Sequence, residues 1–107
     1  MTNSGRIQQL LQLLQSEPSD VFLNYALGIE YALAEESQAM ALMQYQKVIA
    51  LDENYIAVYY QLGKLMESQS RNAEALDYYR TGLEKSRQQK NNKAINEFGE
   101  AIFMLED

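Results

Sequence analysis

Cysteine and histidine are both missing from this chain, and tryptophan is absent as well. Without cysteine there can be no disulfide, no thiolate nucleophile and no cysteine–zinc site, and nothing points to an oxidising compartment. Without histidine the usual general base and the commonest transition-metal ligand are gone. Proline occurs once, at Pro18, and glycine five times, so the chain has few obligatory breaks. Positive charge is scarce too: nine Lys and Arg face fifteen Asp and Glu, for a net charge of −6. A chain this acidic is repelled by phosphate backbones, which disfavours general nucleic-acid binding. No apolar run reaches the 18 or more residues of a membrane span, and residues 1–15 are too rich in Gln for a secretory signal. The expected location is therefore the cytoplasm.

What remains is a composition of helix formers. Hydrophobic residues make up 47% of the 107 positions and charged ones 22%, in keeping with one folded domain spanning residues 1–107. Ala, Leu, Gln, Glu and Met dominate, which favours an all-α chain over a sheet. Ile7, Leu10, Leu11 and Leu14 form one stripe at helical spacing, and Pro18 ends that helix. Further helices are predicted at 21–34, 38–51, 55–68, 72–87 and 93–105, about six in all. Asp20 is placed to cap the second and Asn54 the fourth. Five of the nine positive charges, Arg80, Lys85, Arg87, Lys90 and Lys93, fall within fourteen residues. The plain reading is a solvated helix end that complements the macrodipole. The other is a dock for an acidic partner.

The chain also matches itself. Leu27-Gly28 recurs as Leu62-Gly63, 35 residues on, with Asn24-Tyr25 opposite Tyr59-Tyr60. Ala41-Leu42 recurs as Ala75-Leu76 and Tyr45 as Tyr79, 34 residues on, so the first unit carries one extra residue in its 34–37 turn. Two matching helix pairs at this period indicate a helical-hairpin repeat. No nucleotide loop, metal-ligand spacing or nucleophile–base constellation is present, so no enzyme, metal or cofactor is expected. The carboxylate pairs Glu35-Glu36 and Asp52-Glu53 lie at predicted turns, where solvated charge is the ordinary role. Tyr31, Tyr45, Tyr59 and Tyr79 fall at spacings that suit packing between helices.

These residues resemble the tetratricopeptide repeat pattern. Residues 56–87 carry it as Tyr59, Leu62-Gly63, Met66, Ala75, Tyr79 and the small Gly82. Residues 21–53 carry it as Leu27-Gly28, Tyr31, Ala41, Tyr45 and Leu51-Asp52, with Asn24 in place of the aromatic and Glu53 in place of the proline. Residues 6–18 look like the second half of an earlier repeat, and 93–105 like the family's capping helix, with Ala94, Ile95, Phe98, Ala101, Ile102 and Leu105 as its inner stripe. The resemblance implies an α-solenoid, a right-handed stack of antiparallel hairpins that binds a peptide or partner helix in a concave groove.

Helix 21–34 adds a feature of its own. Leu23, Leu27 and Tyr31 make the expected core stripe, yet Phe22, Tyr25, Ile29 and Leu33 line the other side, with only Asn24 and Glu30 interrupting. A helix that is apolar all round is buried all round or is covered by a partner. Through the resemblance, Phe22, Tyr25, Ile29 and Leu33 match the groove-facing positions of the first repeat, and Tyr60, Gln61, Lys64 and Glu67 those of the second. The Lys/Asn/Arg clamp with which some members hold a peptide carboxylate is not matched, since Tyr25, Ile29 and Gln61 stand at its positions and only Asn91 is of the right type. The alternative to a protein-binding groove is a structural role, in which the same faces dock onto an assembly or Leu10, Leu11, Leu13 and Leu14 form a homodimer.

Overall fold

The computed structural model describes residues 4–106, which form six α-helices and, among those residues, no strand. They are α1 (Ser4–Ser16), α2 (Val21–Ala32), α3 (Gln38–Leu51), α4 (Ile56–Ser68), α5 (Asn72–Gln88) and α6 (Asn92–Glu106), with a single 3₁₀ turn at Glu35–Ser37. No described helix is long and apolar enough to cross a membrane. The chain divides between Glu53 and Asn54 into two compact units. In the first, α2 packs on α3 and α1 on α2; in the second, α4 packs on α5 and α5 on α6.

Each hairpin closes on one aromatic ring set into one glycine. In the first, a Cβ on Gly28 would fall 2.5 Å from the Tyr45 ring. In the second, Gly63 meets Tyr79 in the same way. Such distances lie inside van der Waals contact, so only hydrogen at that position lets α2 approach α3, and α4 approach α5, this closely. Glycine costs a helix interior about 1 kcal/mol relative to alanine. Burying most of a tyrosine ring returns more than that. Gly82 repeats the device between α5 and α6, receiving Phe98. Leu27, Leu62, Ala41 and Ala75 are buried around these contacts, and so are the four tyrosines expected to pack between helices.

The helix ends show why the chain stops where it does. Asp20 caps α2, its carboxylate accepting from the Leu23 N–H at 2.8 Å. That helix stops at Ala32, two residues short of the expected end. The Leu33 and Ala34 N–H groups turn back to the Glu30 and Tyr31 carbonyls, and the Ser37 hydroxyl donates to the Tyr31 carbonyl at 2.6 Å. Asn54, the expected cap of α4, is not it. Tyr55 holds the cap position, and Asn54 instead receives Lys85 on its side-chain oxygen at 3.4 Å and Gln89 on its carbonyl at 2.8 Å. Asn91 caps α6 through the Ala94 N–H at 3.1 Å. Helices α4 and α5 end without glycine: Ser70 and Lys90 take φ of 60° and 56°, and the Arg71 and Asn91 N–H groups reach back to the Met66 and Ser86 carbonyls.

The core stripe of α2 differs from expectation. Leu23 is only half-buried, and Asn24 takes the fully buried place beside Leu27, Gly28 and Tyr31. Its amide is fully engaged, donating to the Pro18 carbonyl at 3.1 Å and the Asp20 carbonyl at 2.7 Å, and accepting from Gln44 of α3 at 2.5 Å. A buried amide with every polar atom paired does not carry the desolvation penalty of an orphan. It ties the turn after α1 to both helices of the first hairpin.

Candidate functional site

With Asn24 on the core side, α2 keeps an apolar stripe on its other side. Phe22, Tyr25, Ile29 and Leu33 recur at i, i+3, i+7 and i+11, which on a helix is one line. Phe22 is 63% exposed and Leu33 64%, while Tyr25 and Ile29 between them are half-buried. The Tyr25 ring sits 6.3 Å from that of Tyr45, which anchors the middle of the stripe to the hairpin beneath. Glu30, the acidic residue on this helix, is held 3.9 Å from Arg6 of α1. The stripe therefore presents two exposed apolar ends on a fixed centre.

The expected residues of the second unit lie on α4. Tyr60 is half-buried, with its ring 5.8 Å from Tyr79 and 5.7 Å from Phe98, the latter edge-on. The exposed Lys64 places its ammonium 5.6 Å from the centre of the Tyr60 ring, a cation–π contact worth about 0.5–1 kcal/mol. Gln61 is half-buried. Glu67 accepts the Tyr79 hydroxyl, so one of its oxygens serves the hairpin. The expected residues thus fall into two groups of four, one along α2 and its C-cap Leu33, the other on α4, each the first helix of its own hairpin.

The structure adds a cavity the sequence reading missed. About 200 Å³ opens between α4 and α6, lined by Ile56, Ala57 and Tyr60 on one side and by Asn91, Lys93, Ala94, Glu97 and Phe98 on the other. A signal for it was present. Phe98-Gly99 follows Leu62-Gly63 by 36 residues, which makes α6 a third first-half helix and puts a cleft between it and α4. In α6, Ala94 and Phe98 are buried, Ile95, Ala101, Ile102 and Leu105 half-buried, and Phe103 and Met104 exposed. A larger hollow of about 560 Å³ lies beside Gln9, Gln12, Leu13 and Ser16. One helix supplies all of those residues, so no groups converge there on a ligand.

The basic cluster disperses. Arg80 pairs with Glu106, Lys85 reaches Asn54, Lys90 forms the left-handed end of α5, and Lys85 and Arg87 occupy the last turn of α5, where positive charge suits the helix dipole. Lys93 alone lines the cavity.

Comparison with solved structures decides the family. A tetratricopeptide repeat domain protein from Salinibacter ruber, determined in solution, superposes with a TM-score of 0.78 at 32% identity, over 84% of this chain and 90% of that one. This chain belongs to the tetratricopeptide repeat family. The crystal structure described under the same family name and source matches at 0.73 with 33% identity, over 81% and 96%. A Bordetella parapertussis protein shares the fold at a TM-score of 0.81 and 22% identity, over 92% of this chain and 85% of that one. No family model matches the sequence, and no curated protein does. The Gly–Tyr notches and buried Leu-Gly pairs recur once in each hairpin of this chain. Asn24, standing where the repeat has an aromatic, is this chain's own departure.

Proposed function

We propose that this tetratricopeptide repeat protein is a protein-interaction module that holds a peptide or a partner helix through the first helices of its repeats. The observation that carries the reading is the α2 stripe, where two large apolar side chains stand about two-thirds exposed on a helix already anchored from behind. Covering Phe22 and Leu33 would return on the order of 2–3 kcal/mol each before ordering costs. Tyr25 and Ile29 form the floor between them. Tyr60, Gln61, Lys64 and Glu67 supply the polar and aromatic contacts of α4, where the side chains that specify a partner would sit. Capture from native lysate with wild-type and Phe22→Ser/Leu33→Ser proteins tests the reading. A partner retained equally by both proteins would refute it.

A second reading has its own observation. Leu11 and Leu13 of α1 are exposed, whereas Leu10 is buried and Leu14 half-buried. A homodimer through α1 would therefore rest on Leu11 and Leu13, with Leu10 and Leu14 engaged within the chain. Sedimentation of the wild type and of Leu11→Lys/Leu13→Lys at tens of micromolar separates the readings, because only a dimer changes mass on substitution.

A further inference from the structure

We propose that α6 pairs with α6 of a second copy of this chain, each Phe103 ring seating against the other copy's Gly99. The inference stands apart from the peptide-binding reading, since it uses no residue of α2 or α4. Three of the five glycines, Gly28, Gly63 and Gly82, receive an aromatic ring from another helix: Tyr45, Tyr79 and Phe98. Gly99 continues the series, as Phe98-Gly99 after Leu27-Gly28 and Leu62-Gly63. Among the described residues, however, nothing lies within 4 Å of its Cβ position. The third notch is built and stands open.

A ring to fit it is carried by the same helix. Four residues after the glycine, α2 has Ala32 and α4 has Glu67, which serves the Tyr79 ring seated at Gly63. At that place α6 has Phe103, 70% exposed, on one side of the helix with Ile95, Gly99 and Ile102. Phe103 does not cover the notch of its own chain. A two-fold axis at the level of Ala101 runs the second α6 antiparallel, so that Phe103 meets Gly99 and Gly99 meets Phe103. Ring and glycine are about 6 Å apart along the axis, which sets the two contacts side by side. A face that holds both the ring and its seat is self-complementary, and this names the occupant as a second copy.

Charge and area set the strength of the pair. On α6, Lys93 and Glu97 line the cavity against α4, and Glu106 is paired with Arg80. Glu100, about 100° round the helix from Gly99, flanks the stripe in both copies. Two chains of net charge −6 also repel each other, so the attraction is apolar and added salt strengthens it. Ile95, Ile102 and Phe103 of each copy cover less than the roughly 800 Å² per partner of a standard interface. The pair is therefore transient and forms at high micromolar concentration, while the dilute single chain leaves Gly99 open.

Sedimentation equilibrium of the full chain, from low to high micromolar concentration, tests this. The mass should climb toward twice that of one chain, and climb sooner in high salt. Phe103→Ser, and Gly99→Leu, which puts a side chain into the notch, should each weaken the pair about tenfold or more. Mixed in equal amounts, these two variants should pair better with each other than either does with itself. The Gly99→Leu chain keeps the ring and the Phe103→Ser chain keeps the notch, so one of the two contacts is restored. Met104→Ser removes an equally exposed side chain from another side of α6 and should leave the pair unchanged. Circular dichroism checks that each variant is folded. The mass of one chain at every concentration overturns the inference, as does a mixture that shows no recovery or a Met104→Ser variant that loses as much as Phe103→Ser. A pair lost in Leu11→Lys/Leu13→Lys but kept in Phe103→Ser belongs to α1 and overturns it as well.

Discussion

Tyr79 donates its hydroxyl to the carboxylate of Glu67, across the hairpin of α4 and α5. The corresponding ring of the first hairpin, Tyr45, is fully buried, and among the described residues its hydroxyl has no partner. The cause lies 35 residues before Glu67, where the chain has Ala32. One repeat keeps both members of the pair and the other has only the donor. An orphaned buried hydroxyl costs roughly 1–3 kcal/mol, whereas removing both partners is nearly neutral. Tyr45→Phe should therefore leave stability unchanged or raise it, while Tyr79→Phe should lower it by about 1 kcal/mol or more. Ala32→Glu should stabilise the wild type and lose its effect in Tyr45→Phe. Urea unfolding of these variants is the check, and an equal loss for both Tyr→Phe changes would contradict the asymmetry.

The same two rings set an alkaline limit. Burial pushes the Tyr45 hydroxyl well above its ordinary value, with Tyr25 adding to the effect, and burial followed by the bond to Glu67 does the same for Tyr79. Because the folded values are raised, this contribution to stability is complete below about pH 10, the value for an unfolded tyrosine. It falls as pH rises above that point, since only the unfolded chain then ionises. In an absorbance titration, two of the eight tyrosines should ionise only as the helices melt. Tyr45→Phe/Tyr79→Phe should remove that coupled step.

Glycines on equivalent turns of α2, α4 and α6 should respond to alanine with opposite signs. At Gly28 and Gly63 a new Cβ would press on the ring of Tyr45 or Tyr79, which packing holds in place, at a cost of about 1–3 kcal/mol. At Gly99 nothing lies within 4 Å of the same position. There the helix propensity of alanine should dominate and add up to about 1 kcal/mol. Thermal melts of the three single variants suffice. A destabilised Gly99→Ala would mean that α6 is packed on that side after all.

How far the sequence could be read follows from where each residue finds its partners. The hairpins were legible because their determinants recur, Leu-Gly against Ala and Tyr, and recurrence can be seen without coordinates. The apolar stripe of α2 was legible because helical spacing alone defines it. Asn24 was not, since its partners are two turn carbonyls and Gln44, twenty residues away, and a helical wheel shows none of them. It ranked Leu23 as core for its chemistry, although Asn24 has the buried position. Asn54 misled for a related reason. It is a good capping residue in the right place, but Lys85 and Gln89, 31 and 35 residues on, take up its oxygens. The cavity beside α6 required reading Phe98-Gly99 as a third Leu-Gly, and the change of Leu to Phe hid the match.

The two left-handed residues offer a stabilisation without any new contact. Ser70 and Lys90 hold φ near 60° at the ends of α4 and α5, where a side chain costs about 1–2 kcal/mol that glycine avoids. Both are exposed, so little packing is lost. Ser70→Gly and Lys90→Gly should each gain on the order of 1 kcal/mol after the added freedom of the unfolded chain is deducted. The sites are 20 residues apart at the ends of different helices, so the gains should add within about 0.5 kcal/mol in denaturant unfolding.

The stripe on α2 predicts a separation of binding from folding. Phe22 and Leu33 are largely in water already, so Phe22→Ser and Leu33→Ser should each shift stability by no more than about 0.5 kcal/mol. If they anchor a partner, each should cost about 2 kcal/mol of affinity or more, a loss of some thirtyfold. Tyr25 is the contrasting case. Its ring packs 6.3 Å from Tyr45, so Tyr25→Ala should lower stability and binding together, and Tyr25→Phe should keep the packing. Parallel measurement of unfolding and of partner capture for all four variants distinguishes the roles. Loss of capture in the two Ser variants at unchanged stability assigns the exposed ends of the stripe to the partner. If capture falls only where stability falls, the stripe serves the fold of its own unit and the partner binds elsewhere.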